Sequence, residues 1–194
     1  MNIGIYIYDD AEVLDFSGPF EVFSTASRFL EEKNKFNVFL IAEKNESVKA
    51  RGGFNVNPKY DILTHPKLDV LIVSGGVHTH EVKKDNVISW IKEVSLTTKL
   101  VTSVCTGAFL LAQAKVIRNH NVTTHWEDIN DLKKNYPSLN IVKNVRWVDE
   151  NEIITSGGIS AGIDMSLHIV SKLRSIEIAH KTAQQMEFSW TKND

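Results

Sequence analysis

The chain of 194 residues is 42% hydrophobic, which is enough to bury a core of ordinary size, and its length lies near the upper end for one domain. Twenty-two basic and 24 acidic side chains leave a formal charge of −2, with neither sign gathered into a block, so nucleic acid and anionic membrane surfaces are disfavoured against small molecules and protein partners. No apolar run approaches the roughly 20 residues of a membrane helix, the N-terminus lacks the marks of an export signal, and one cysteine cannot form an internal disulfide, so the expected address is cytoplasmic.

In chain order, the β-branched and aromatic run Asn2–Tyr8 predicts a first strand. Asp15 then falls in a loop before Pro19, which opens a helix marked by Phe20, Phe23, Ala26 and Leu30 at helical spacing. Phe36–Ala42 and Asp69–Gly75 read as further strands, the second closing on the glycines of "SGG". Val87, Ile88, Ile91 and Val94 mark a helix, Lys99–Val104 a strand, and Phe109 to Ala112 another helix. Asn121–His125 predicts a strand, and Val145–Asp149 with Glu152–Thr155 predict a β-hairpin before a helix from about Ile159 to Leu173. Strands that are apolar throughout need cover on both faces. The expected architecture is therefore α/β, a mostly parallel sheet sandwiched by helices, with the hairpin near 145–155. No repeat or flexible linker divides the chain, so residues 1–194 read as one domain.

The cysteine carries the chemistry. Cys105 lies where "KLVTSV" gives way to "TGAFLLAQA", a strand-to-helix elbow made passable by Gly107 and Ala108. In open α/β sheets ligands bind beyond the carboxyl ends of the strands, where such an elbow lifts its residue. A helix N-terminus beside the sulfur is expected to depress the thiol pKa and raise its reactivity, whereas an inert buried cysteine has no use for one. Gly75 or Gly76 with the Thr106 amide would make a donor pair for developing negative charge, although paired glycines such as Gly157–Gly158 more often only make turns. Asp15 reaches the same strand ends; the alternative is that Asp15 and Glu21 only complement a helix terminus. His125, at a strand end, could serve as a base in a Cys–His pair or be structural. His78 and His80 lack partners with metal-ligand spacing and read as solvated loop residues, so no metal is expected. The four tryptophans are too dispersed for a stacking platform and read as core or interface.

Together "LDFSGPFEVF", "SGG", "TSVCTGAFLLA", "VTTHW" and "TSGGISAGIDMSLHIV" resemble the ThiJ/PfpI superfamily, in order from about residue 3 to residue 175. The superfamily shares the flavodoxin-like fold of the class I glutamine amidotransferases. The Asp before the first helix, the Cys-Thr-Gly elbow and "GGISAGIDM" are most similar to its isonitrile hydratase branch. The resemblance implies a homodimer with active sites near the interface, Cys105 as nucleophile, Asp15 hydrogen-bonded to it, Thr106 beside it, and Gly158 and Ile159 over it. It implies hydration of an isonitrile to an N-substituted formamide through a thioimidate, with no cofactor. Glyoxalase, deglycase or amide-hydrolase chemistry with His125 as proton carrier is the second reading, and a cysteine redox sensor or stress chaperone the third. A regulatory ligand-binding half is disfavoured, since regulators of this kind continue into a helix-turn-helix segment.

Overall fold

The structure, a computed structural model, describes residues 1–193. Its strands are β1 (Asn2–Tyr6), β2 (Asn37–Ala42), β3 (Val48–Ala50), β4 (Phe54–Val56), β5 (Tyr60–Asp61), β6 (Val70–Val73), β7 (Leu100–Val104), β8 (Asn121–Val122), β9 (Asn140–Ile141), β10 (Trp147–Asp149) and β11 (Ile153–Ser156). Its α-helices are α1 (Val13–Ser27), α2 (Asp85–Ser95), α3 (Gly107–Gln113), α4 (Ile129–Asn135), α5 (Ala161–Leu173) and α6 (Ile176–Gln185).

A seven-stranded sheet in the order β10-β11-β7-β6-β1-β2-β5 forms the middle layer, parallel throughout except for the antiparallel β10–β11 hairpin at one edge. Every residue of β6 and β7 is buried; β6 is apolar throughout, and β7 carries Thr102 and Ser103 among its aliphatic residues. Each such aliphatic side chain withdrawn from water contributes about 1.5–3 kcal/mol. Helix α1 packs on α5 and α6, and α2 packs on α3. From β1 the chain steps to β2 on one side, whereas β6 and β7 lie on the other. That reversal of strand order opens a crevice beyond the carboxyl ends, where β1, β6, β7 and β11 stand side by side.

Three local differences from the sequence reading bear on function. Helix α1 begins at Val13 with Pro19 inside it, so Asp15 belongs to the first helical turn and not to a preceding loop. Pro19 has no N–H to give to the Asp15 carbonyl, and the helix proceeds without that bond. The segment Asn121–His125 yields only the short β8, which pairs with β9 outside the main sheet, and His125 precedes a 3₁₀ turn at Trp126–Asp128. Thr123 and Thr124 supply the reason: their hydrogen bonds run to Thr155 and Cys105 and not to a ladder. Helix α5 starts two residues later than expected because Ile159 adopts φ 56°.

Candidate active site

Four carboxyl strand ends each contribute one piece. Asp15 follows β1, Gly75 follows β6, Cys105 follows β7 and Gly158 with Ile159 follow β11. Cys105 sits at the elbow with φ 55°, in the left-handed region that costs a non-glycine residue about 1–3 kcal/mol and that survives only where the surroundings enforce it. Here they do: the Cys105 amide donates to the carbonyls of Ser156 and Gly157, each at 3.2 Å, and its carbonyl accepts from the Thr124 hydroxyl at 2.8 Å. The residue is 7% exposed.

Asp15 is completely buried, and among the described residues no cation pairs with it. Its Oδ2 accepts the Gly75 amide at 3.1 Å and its Oδ1 accepts the Ile159 amide at 2.8 Å, while the carboxyl faces the thiol. Burial raises its pKa from the ordinary 3.8 to about 7, with the two amides and the thiol pulling the other way and Glu12 adding to the rise. Ile159 is a β-branched residue at φ 56°, so the two strained residues of the site, Cys105 and Ile159, both aim at this carboxyl. Thr106 exchanges two hydrogen bonds with Gly76, its hydroxyl donating to the Gly76 carbonyl at 2.8 Å and accepting the Gly76 amide at 2.9 Å.

Glycine is required at two of these positions. A Cβ on Gly75 would stand 2.6 Å from the Cys105 Cβ and 2.7 Å from Asp15 Oδ2. A Cβ on Gly158 would collide with the His125 ring and lie 3.1 Å from the Cys105 sulfur. Both glycines thus allow the backbone to close directly on the reacting groups.

Beside the elbow opens a cleft of about 580 Å³, whose lining includes His125, Trp126, Lys143, Arg146, Gly158 and Ile159. His125 packs against Gly158 with its Nδ1 3.5 Å from Asp128 and 3.7 Å from Glu127, and it makes no hydrogen bond to Cys105. Arg146 is fixed by Asp164, a second fully buried aspartate in the first turn of α5: Nε donates at 2.7 Å, and Nη2 bonds both Asp164 and the Ser160 hydroxyl. The C-terminal segment closes over this pair, with the Thr191 amide on Asp164 Oδ1 at 2.8 Å and the Asn193 side chain accepting the Arg146 amide at 3.0 Å.

The DJ-1/PfpI family pattern matches residues 1–172 of this chain. The chain belongs to the DJ-1/PfpI family. Isonitrile hydratase of Pseudomonas putida is 28% identical over 191 residues, covering 97% of this chain and 79% of its relative. The HTH-type transcriptional regulator CdhR of Pseudomonas aeruginosa is 24% identical over 173 residues, 89% of this chain, which spans about half (51%) of the regulator's length. Among solved structures, a THiJ/PfpI family protein from Pseudomonas syringae superposes with a TM-score of 0.86 at 22% identity, over 100% of this chain and 77% of that one. The shared fold is the flavodoxin-like DJ-1/PfpI architecture expected from the motifs.

Three sequence expectations are corrected in this DJ-1/PfpI protein. The thiol is not acidified: burial, reinforced by the Asp15 carboxylate, pushes the Cys105 pKa well up, and the Thr106 amide beside the sulfur offsets only part of this. Helix α3 is seven residues long, too short for its dipole to outweigh that desolvation. The amides of Gly75 and Gly76 are not free donors, because Asp15 and Thr106 already occupy them. His78 is also not a solvated loop residue; it is half-buried with its ring centroid 4.2 Å from that of Phe109, whereas His80 is exposed. Of the tryptophans, Trp90 and Trp147 are core, and Trp126 stands 76% exposed at the cleft rim. Thr124, Lys143 and Arg146 went unread in the sequence. Thr124 carried a signal, a hydroxyl in an otherwise strand-like run.

Proposed function

We propose that this DJ-1/PfpI protein hydrates an isonitrile to an N-substituted formamide, with Cys105 as nucleophile and Asp15 as the proton carrier. One observation carries the reading: a buried carboxyl with no cation beside it, pinned by the Gly75 and Ile159 amides against the thiol, and titrating at about 7. A group poised at the working pH is suited to both accept and return a proton. Because the thiol is held protonated by burial, the reaction starts from S–H and carboxylate and not from a preformed thiolate.

In the first step the S–H bond breaks toward Asp15 as sulfur bonds the terminal isonitrile carbon, and the proton passes from Asp15 to that carbon, leaving the thioimidate R–N=CH–S–Cys105. In the second, Asp15 takes a proton from water as the water oxygen bonds the same carbon, and nitrogen receives the proton. The resulting R–NH–CH(OH)–S adduct loses its hydroxyl proton, the C–S bond breaks, sulfur recovers a proton and R–NH–CHO leaves. Water is the only co-reactant. Thr106, by locking Gly76, holds the loop after β6 against the thiol.

A Cys–His mechanism has less support, since the carboxyl of Asp15 hydrogen-bonds the thiol whereas His125 makes no hydrogen bond to it. The reading carries a small-molecule substrate and a homodimer, the latter checked by sedimentation against the 21.9 kDa of one chain. Steady-state assay of the purified protein against a small alkyl isonitrile and against methylglyoxal tests the activity. Formamide production that is lost in Cys105→Ala supports it. Turnover of methylglyoxal alone would refute it in favour of glyoxalase chemistry.

A further inference from the structure

We propose that the cleft beside Cys105 recognises an anion, and that the substrate is an isonitrile bearing a carboxylate, which Lys143 reads. The proposal rests on the hydratase reading and specifies its substrate class.

The cleft and the nucleophile share a wall. Gly158 lines the cleft, and a Cβ on it would lie 3.1 Å from the sulfur, so a residue of the lining borders the nucleophile. The charged side chains in the lining are cationic, Lys143 and Arg146, and none of the lining residues is an acid. The nearby acids, Glu127 and Asp128, stand beside His125 and outside the lining. Arg146 is committed to Asp164, which cancels its charge while fixing it in place. Lys143 is different: among the described residues no carboxylate lies within ion-pair distance of it. The cleft therefore carries one uncompensated positive charge, that of Lys143. Trp126 and Ile159 in the same lining expose apolar surface, 76% and 41% exposed, suited to a short hydrocarbon spacer. A single lysine is a point charge matched to a monoanion; recognition of a phosphate dianion would call for further free donors or an unpaired guanidinium. The product of such a substrate is an N-formylamino acid.

The test compares isocyanoacetate and 4-isocyanobutanoate with their methyl esters, which differ in charge at nearly constant shape. For the better of the two lengths, kcat/KM for the carboxylate is expected to exceed that for its ester by about fivefold, the worth of one partly exposed charge pair. The ratio is expected to fall to about one in Lys143→Met, to invert in Lys143→Glu, and to shrink in about 0.5 M NaCl. Lys143 is exposed, so these variants are expected to fold as the parent does. A ratio near one in the parent, or a preference that survives Lys143→Met, would overturn the proposal while leaving the hydratase reading intact. If no isonitrile is hydrated, the hydratase reading fails instead, and calorimetric binding of 4-formamidobutanoate against its methyl ester decides the anion site. Preferential binding of the anion that disappears in Lys143→Met supports it, and equal or absent binding in the parent overturns it.

Discussion

Asp15 and Asp164 invite comparison. Each is fully buried, each lies in the first turn of a helix on the same side of the sheet, and each accepts a backbone amide on Oδ1 at 2.8 Å. Burial pushes both carboxyls upward. They differ in what neutralises them. Asp164 is given the Arg146 guanidinium, which opposes the rise, and becomes a fixed brace under the cleft and the C-terminal segment. Asp15 is given amides and a thiol but no cation, and is left near neutrality with a proton to exchange. The lesson is that burial alone does not make a carboxylate reactive. Burial without a counter-charge does.

The comparison is broken most severely by removing the exchangeable proton. Asp15→Asn is expected to lower kcat/KM for a neutral alkyl isonitrile by about 10²–10⁴-fold, the usual worth of a general acid–base group. Asp164→Asn is expected to cost less than about tenfold in the same assay. Equal losses would mean that both residues act through structure alone.

The next largest effect is on stability against pH. The folded state holds the Asp15 proton up to about pH 7, whereas the unfolded chain releases it near 3.8. Between those values the native state binds the extra proton, so the contribution of Asp15 to stability is greatest below pH 4 and is lost as pH rises through 7. The decline from this one group amounts to about 4 kcal/mol, from the roughly three-unit shift at about 1.4 kcal/mol per unit. Denaturant unfolding of the parent and of Asp15→Asn between pH 4 and 7.5 checks it; the variant is expected to lack this component of the slope.

Arg146→Met should lose about 3 kcal/mol, because Asp164 is then buried without its partner. This is the lower end of the range for a broken buried pair, since the Arg146 side chain is 33% exposed. A double cycle with Asp164→Asn, read by the same unfolding measurement, should recover part of the loss. The smallest expected effect is that of His125→Asn, a fall of less than about tenfold in kcat/KM on a neutral isonitrile. A loss as large as that of Asp15→Asn would move the proton-carrying role to His125 and make the two aspartates alike after all.

The central strands were legible because a chain segment buried on both faces is dominated by aliphatic residues, throughout in β6 and at Leu100, Val101 and Val104 in β7. The three-residue strands β3 and β4 left no such trace, since their burial alternates or is partial over too few residues to establish a period. Thr123 and Thr124 misled for a physical reason: β-branching favours strands, but here the same residues bond the shell of the elbow. The elbow itself was readable from Cys-Thr-Gly. The direction of the Cys105 shift was not, because the motif reveals the neighbouring amide but not the depth of burial that outweighs it.

The hydrogen bond from Ile159 to Asp15 links residues 144 apart in the chain. The contact closes a very long loop, and such closures are made late, after the local elements have formed. The site should therefore assemble only when the last sheet strand and α5 have docked on α1. Until then the single thiol is unshielded and open to oxidants that its burial in the folded chain hinders. During synthesis and refolding, the rate at which this thiol is modified by a thiol reagent is a direct clock for completion of the fold.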